Sequence, residues 1–300
     1  MNSLKISVVA ALSVSFLCAT CDADLTINLI DNTASTTSPS TSGSGTIQNV
    51  MAQAASIWES FFANDTTVNL ERNITYQWGT LGGDTAAIAS VASPVIPIHG
   101  SWAITFDNNG FSNPNLANTQ FYLDPTPASS TEWTSFAETT ADLGGGVINT
   151  SRKYSGPTGD AVGHLDLLTI ALHEIGHTIG WVGVPDPLTI TSPRPYPGTV
   201  IHVADHVHTS TDHPDTLLNA ILRVGNRILP SGIDILVAAE QSGFSSVTSV
   251  PEPNAFLLSA FVTLVVGVGR IAKSRKPAAL NLARESHSET NRFRATSQHP

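Results

Sequence analysis

Cysteine is nearly absent from this sequence. Its two cysteines, Cys18 and Cys21, lie close to the N-terminus, within a segment that we expect to be removed on export. A chain cut after Ala23 keeps no thiol. Disulfides, a cysteine nucleophile and a thiolate metal site are therefore excluded for the mature chain.

Positive charge is also scarce. Between Asp24 and Val250 there are six Lys or Arg against twenty Asp or Glu, and the whole chain carries a formal net charge of -10. An acidic surface repels the phosphate backbone of nucleic acids and is typical of a solvated extracellular protein. We therefore expect no nucleic-acid partner.

The N-terminal segment has the pattern of an export signal. Lys5 precedes an apolar run from Ile6 to Leu17, and Cys21-Asp22-Ala23 follows as the expected cleavage region. This order of a basic residue, an apolar stretch and a cleavage site predicts a signal peptide over residues 1–23. The protein is accordingly expected to be exported.

The C-terminal segment predicts a membrane anchor. Residues 255–269 are apolar apart from Ser259 and Thr263, and a basic tail follows. With its flanks this run is just long enough to cross a bilayer, with the tail on the cytoplasmic side. We assign residues 246–270 to this segment and residues 271–300 to the basic cytoplasmic tail.

The same segment resembles a known sorting signal. Val250-Pro251-Glu252-Pro253, the hydrophobic stretch and Arg270 together resemble the PEP-CTERM signal of bacterial surface proteins. The resemblance implies an exosortase-type sorting machinery as a partner, and a final location at the membrane, on the cell surface or outside the cell. The tail from Ile271 to Pro300 is longer than is usual after such signals.

Residues 24–245 are expected to form one α+β domain with a core of its own. Alternating apolar residues predict a strand at 25–30 and a long strand or a hairpin at 67–80, with short strands at 102–106 and 121–123. The stretch GGGVIN, residues 144–149, is interpreted as an edge strand. A loop is expected at 33–46.

Three helices are predicted in the same domain. Helical spacing of apolar residues predicts an amphipathic helix at 47–62 and a main helix at 165–179. Gly180 is expected to end the main helix in the left-handed conformation. A closing helix is predicted at 231–241, with Ser231 as its N-cap and Asp234 three residues on.

The main helix carries the pattern HExxH at His173, Glu174 and His177. Residues four apart share a helix face, so both imidazoles can bind one metal ion, at about 2.0 to 2.1 Å for zinc. Glu174 lies beside them, where it can accept a proton from a water that zinc has acidified to a pKa of about 7. The pattern predicts zinc-dependent peptide hydrolysis with Glu174 as the general base.

HEIGHTIGW resembles the zinc helix of the metzincin metalloproteases, whose extended motif is HExxHxxGxxH. The match is complete through Gly180, but Gly183 stands where the third histidine is expected. Members of the leishmanolysin-like branch insert a long segment before that histidine. The resemblance implies a zincin domain with a mixed twisted sheet, endopeptidase activity on protein or peptide substrates, and a third zinc ligand further downstream.

Four downstream histidines are candidates for that ligand. Spacing alone does not choose among His202, His206, His208 and His213. DHPDTLLN resembles the segment in which such proteins place a histidine shortly before a turn under the metal, which implies His213 as the ligand and residues 216–219 as the turn. Leu217-Leu218 replaces the family's methionine and can still form an apolar floor, because the side chains have similar volumes.

Two other interpretations stay open. In the first, the third ligand is a carboxylate. A gluzincin-type peptidase would take Glu240 as this ligand, and a site with an aspartate ligand would take Asp205 or Asp212. Alternatively, the chain is a non-catalytic surface-anchored zinc-binding or structural protein. The intact Glu174 argues against this second interpretation, since metal binding alone does not need that carboxylate.

Overall fold

The structure is a computed structural model of the chain. It describes residues 25–63, 65, 68–91, 100–111, 119–180, 184–191, 196–203, 213–219 and 223–248. The chain divides into two units, Met1–Val250 and Pro251–Pro300, and all described residues belong to the first. The predicted signal peptide, the sorting segment beyond residue 248 and the basic tail lie outside them.

The described part of the chain contains three α-helices and twelve strands. The helices are α1 (Ile47–Phe62), α2 (Leu167–Ile179) and α3 (Gly232–Ser242). The strands are β1 (Leu25–Asp31), β2 (Thr41–Ser42), β3 (Leu70–Gly79), β4 (Ala87–Val91), β5 (Ser101–Asp107), β6 (Phe121–Tyr122), β7 (Trp133–Asp142), β8 (Val147–Pro157), β9 (Leu165–Asp166), β10 (Leu188–Thr189), β11 (Val200–Ile201) and β12 (Arg227–Ile228). The predicted α+β class is confirmed. None of the described helices is long and apolar enough to cross a membrane.

The main sheet has the strand order β1-β3-β5-β4. The first three strands are parallel, and β4 pairs antiparallel with β5 at one edge. Alternate residues of β3 are buried, among them Ile74, Tyr76 and Trp78. This period of two follows from the pleat of a strand, which turns every second side chain to the core. Of the two alternatives predicted for residues 67–80, a long strand or a hairpin, the structure has a single strand over residues 70–79.

Helix α1 joins this sheet to α2. It has the bounds predicted from the sequence, and the Thr46 hydroxyl caps it by accepting a hydrogen bond from the Asn49 amide at 3.2 Å. Its buried face packs on β1 and on α2. The fully buried Trp58 donates its indole N–H to the Leu172 carbonyl at 2.9 Å, so α1 is hydrogen-bonded to the middle of α2.

The prediction of an edge strand at 144–149 is only partly correct: residues 147–149 begin a strand, β8, whereas the glycines at 144–146 do not belong to it. Residues 143–146 turn the chain between β7 and β8, and β8 lies in the middle of a second sheet with the order β12-β8-β7. The glycines serve close packing at this turn: a Cβ added to Gly145 would lie 2.4 Å from Thr199 Oγ1. The strands β7 and β8 are also far longer than the short strands expected for this part of the chain.

The segment after α2 is folded where the structure describes it. Strands β10 and β11 pair antiparallel, and Ile190 and Val203 are fully buried in the main core. The Val200 amide donates to the Leu143 carbonyl at 2.9 Å, which joins the segment to the β7–β8 turn. The described parts of the segment between Gly180 and His213 thus contribute to the core of the domain.

Candidate metal centre

The N-terminal end of α2 is held by a buried ion-pair cluster. Asp166 caps the helix by accepting from the Thr169 amide at 3.0 Å, and it also accepts from Arg227 Nη2 at 2.8 Å. Arg227, which is fully buried, reaches Asp124 as well at 2.6 Å. Burial alone would lower the pKa of Arg227, but the two carboxylates outweigh it and raise that pKa. The cluster fixes where the HExxH helix begins.

The C-terminal end of α2 is held by different contacts. Arg72 on β3 donates Nε–H to the Thr178 carbonyl at 2.6 Å, and the Ser242 hydroxyl donates to the Ile179 carbonyl. A cation is favourable here because the last carbonyls of a helix carry partial negative charge. With Trp58 at its middle, α2 is fixed along its whole length.

Gly180 ends α2 as predicted, but for another reason. Its φ of 161° is extended backbone, so the expected left-handed conformation is wrong. A Cβ at this position would lie 2.9 Å from Gln241 Cβ and 3.2 Å from Ser242 Oγ. Glycine therefore allows α3 to pack closely against the end of α2.

His173 and His177 direct their side chains to one point. Their Nε2 atoms lie 3.2 Å apart, and their ring planes are inclined at 77° to each other. Two nitrogens bound to one tetrahedral zinc ion at about 2.0 to 2.1 Å are separated by about 3.3 to 3.4 Å. The spacing of this pair therefore fits two ligands of a single zinc ion.

A backbone carbonyl sets the tautomer of His173. The Nδ1 atom of this residue lies 2.8 Å from the Leu217 carbonyl oxygen. A carbonyl only accepts, so Nδ1 carries the proton and Nε2 of the neutral ring keeps its lone pair. Metal-binding histidines are commonly oriented in this way by a carbonyl or carboxylate. In this tautomer, Nε2 is the atom through which His173 would bind a metal ion.

Glu174 is a buried carboxyl group beside this pair, only 5% exposed. Burial raises its pKa to about 7, although a hydrogen bond from the Ala89 amide opposes the shift. Ala89 lies on the edge strand β4. A carboxyl group with a pKa near neutrality can both accept and release a proton at physiological pH, as a general acid–base residue must.

The expected turn is present beneath α2. The Asn219 amide donates to the Thr216 carbonyl at 3.3 Å, which closes a turn over residues 216–219. Leu217 and Leu218 are buried. A Cβ added to Gly176 would lie 3.0 Å from Leu218 Cδ2, so the glycine of HEIGH is what allows Leu218 to pack against the helix. The turn therefore forms an apolar floor against α2.

In the described residues, no third metal-binding side chain, whether His, Cys, Asp or Glu, lies together with the His173–His177 pair in a group that could hold a metal ion. His213 begins the turn segment, and its carbonyl accepts from the Thr216 hydroxyl at 3.0 Å. His206, His208, Asp205 and Asp212 lie outside the described residues. His213 stays a prediction.

Two other candidate ligands have partners away from the pair. His202 has a side chain that is 58% exposed, with Nδ1 3.4 Å from Asp186 Oδ1. Glu240 accepts from the Thr191 amide at 3.1 Å and from the Thr191 hydroxyl at 2.7 Å. These contacts let Glu240 hold the chain at Thr191 against α3, and a role as a metal ligand would compete with them.

Several residues of the site could not be found from the sequence pattern. Arg227, Arg72 and Ala89 come from separate strands, and only the tertiary fold brings them to α2 or Glu174. Asp234 was predicted as part of a capping box, which is confirmed. Its further contacts with the turn give no local signal, because the partners lie sixteen and seventeen positions away.

Comparisons of this chain with protein-family models, with curated proteins and with solved structures find no match. Which metal the site would bind is therefore inferred from the donor atoms of His173 and His177. Two neutral imidazoles suit zinc, whereas magnesium and calcium take oxygen ligands. The histidine pair and the hydrogen bond to Leu217 therefore fit zinc as the resident ion.

Proposed function

We propose that this protein is an exported zinc-dependent endopeptidase with a metzincin-like domain. The observation that carries the proposal is the His173–His177 pair, with Nε2 atoms 3.2 Å apart, next to the buried Glu174. A pair of imidazoles at ligand spacing with an adjacent carboxyl group of raised pKa is the arrangement that hydrolysis by an activated water requires.

The residues of the chain divide the chemistry between them. Bound zinc would supply Lewis acidity towards the peptide carbonyl and towards the attacking water. His173 and His177 would hold the ion, with the Leu217 carbonyl keeping His173 in the Nδ1–H tautomer. Glu174 accepts the proton of the attacking water at its carboxylate and then delivers it to the leaving amine nitrogen. In the metal-free protein burial raises its pKa to about 7, so the carboxyl group can exchange a proton near neutral pH.

The architecture supports a metzincin-like domain. A mixed sheet with an antiparallel edge strand lies next to the HExxH helix, and a leucine turn packs below that helix. The Glu174 carboxyl group is hydrogen-bonded to this edge strand at Ala89. An edge strand beside a catalytic group can pair with an extended peptide, which suits a protein or peptide substrate.

His213 is our choice for the third zinc ligand. It stands three residues before the turn whose Leu217 carbonyl contacts His173, so the chain at His213 is tied to the histidine pair through a short covalent path. His206 and His208 are the alternatives. Zinc with three protein ligands leaves a position for water, as catalysis requires.

The location and partners follow from the terminal sequence signals. The predicted signal peptide and PEP-CTERM-like segment support export, sorting by an exosortase-type machinery and membrane or cell-surface attachment. The described residues end at 248, just before the Val250-Pro251-Glu252-Pro253 tetrapeptide. These segments lie outside the described residues, so the support for this part of the proposal is the sequence.

The alternative function is a surface-anchored zinc-binding protein that does not cut peptides. The two functions differ in whether Glu174 is needed for a reaction. In the purified protein, Glu174→Gln should keep its zinc and lose casein hydrolysis, because the amide cannot accept the proton of the water. Glu138→Gln, on the exposed strand β7, is the matched control and should hydrolyse casein normally.

A second variant addresses the gluzincin interpretation. Glu240→Gln should retain zinc, since the Glu240 carboxylate is engaged by Thr191. Zinc loss in this variant would favour Glu240 as a ligand. Casein hydrolysis that survives Glu174→Gln, or that is absent from the zinc-loaded wild type, would refute the endopeptidase.

A further inference from the structure

The carboxylate of Asp234 joins the start of α3 to the turn beneath α2. It is fully buried. Its Oδ2 accepts from the Ser231 amide at 2.7 Å and the Ser231 hydroxyl at 2.6 Å, which completes the capping box. The same carboxylate accepts from the Leu217 amide at 3.2 Å and from the Leu218 amide at 3.0 Å. Only the first two contacts serve the cap of the helix.

The peptide unit between Leu217 and Leu218 is held from both sides. The Leu218 N–H and the Leu217 C=O belong to this one planar unit and point in opposite directions when the bond is trans. Asp234 Oδ1 binds the N–H, and His173 Nδ1–H binds the C=O at 2.8 Å. The plane that orients the His173 ring is therefore itself oriented by Asp234.

We propose that Asp234 is a positioning residue for the metal centre, acting through this peptide plane on His173. The proposal rests on the proposed zinc site and adds a residue that touches neither metal nor substrate. Hydrogen bonds in such a chain polarise one another, so a carboxylate at its far end strengthens the Leu217 carbonyl as an acceptor. Outer partners of this kind typically change metal affinity by about 10- to 100-fold when they are replaced.

The donors around Asp234 explain why a carboxylate is needed. Three N–H groups and one hydroxyl point at its two oxygens. An asparagine has one oxygen and one NH₂ group, so its NH₂ must face at least one of these donors. The Oδ1 position, which accepts from the Leu218 amide, is the less costly place for it, because Oδ2 accepts from Leu217 and from both donors of Ser231. Asp234→Asn therefore loses the contact with the peptide plane while it can keep the capping box.

The test compares zinc dissociation constants, measured by chelator competition on the full chain. Asp234→Asn should bind zinc about 10- to 100-fold more weakly than the wild type. Ser231→Ala is the matched control, because it removes the cap hydroxyl and leaves both turn contacts in place. Its zinc affinity should stay near that of the wild type even though its melting temperature falls.

The outcomes separate this proposal from the proposed function. If His173→Ala abolishes zinc binding but Asp234→Asn binds like the wild type, Asp234 is not a positioning residue and the zinc site stands. An equal loss of affinity in Asp234→Asn and Ser231→Ala would also overturn the proposal, since it would reflect the stability of α3. If the wild type binds no zinc through His173, the proposed metal centre falls and this inference with it.

A measurement on the wild type avoids reliance on the folding of a variant. Zinc should slow hydrogen exchange of the Leu217 and Leu218 amides more than that of the α1 amides, because both turn amides belong to the chain of contacts that ends at His173. Slowing that is no greater at the turn than in α1 would contradict the proposal.

Discussion

The Nε2 atoms of His173 and His177 lie 3.2 Å apart on a helix that is held at both ends. Asp166, Trp58 and Arg72 fix the helix from outside the site. In the proposed metal centre the helix that carries the two imidazoles would therefore be positioned before an ion binds, which leaves less conformational entropy to lose on binding.

We expect His213→Ala to weaken zinc binding by more than the about 10- to 100-fold typical of outer partners, because a direct ligand would be lost. His202→Ala is the control and should bind zinc like the wild type, since His202 is exposed and lies beside Asp186. Chelator competition measures both. An unchanged affinity in His213→Ala would move the assignment to His206 or His208, each tested by its own alanine variant.

Arg227→Met should destabilise the protein by about 3 to 5 kcal/mol, because it leaves Asp166 and Asp124 buried without their cation. Urea unfolding measures the change. Arg223→Met is the control: Arg223 is 46% exposed on its side chain and lies 3.8 Å from Asp215, so its loss should cost less than about 1 kcal/mol. Equal losses in the two variants would contradict a structural role for the buried cluster.

Gly176→Ala should destabilise the protein by about 1 to 3 kcal/mol, although alanine is the better helix former. The added Cβ would lie 3.0 Å from Leu218 Cδ2 and 3.2 Å from Trp58 Cζ2. Shortening Leu218 to valine in the same chain should recover part of the loss. A Gly176→Ala variant that is more stable than the wild type would show that Leu218 does not pack as described.

Metal-free protein should become less stable as the pH rises from about 4.5 to above 7, relative to Glu174→Gln. The pKa of Glu174 is raised to about 7 by burial, so the folded state holds its proton over a range in which the unfolded state releases it. The stability contributed by the protonated group is present below pH 4.5 and is lost through pH 7. Unfolding in EDTA across this range measures the difference, and parallel curves for the two proteins would contradict the raised pKa.

The sequence predicts the helices well, since their signals are local. The apolar period of α1 and the capping box of α3 involve neighbours three or four positions apart, and both elements are found where expected. The identity of the site residues on α2 follows from the same local spacing. Glycine is less informative: GGGVIN predicts a strand from its first residue, whereas the strand begins at Val147 and Gly145 packs closely against Thr199.

The surroundings of the site could not be predicted in the same way. The tautomer of His173 depends on Leu217, forty-four positions away, and the Glu174 carboxyl group accepts a hydrogen bond from the Ala89 amide in the edge strand. Such contacts leave no periodic trace in the sequence. The same reason applies to Arg227. Nothing in the sequence distinguishes its partners, Asp124 and Asp166, from other acidic residues, because only the fold brings them to Arg227.

Reconstitution of the stripped protein tests the central claim most directly. After removal of metal by a chelator, zinc is added back in steps while casein hydrolysis and bound zinc are followed on the same sample. We predict that hydrolysis returns in proportion to zinc and saturates when the His173–His177 site is filled, and that Glu174→Gln binds zinc equally without hydrolysis. A wild-type protein that takes up zinc at this site and still cuts no peptide would contradict the account.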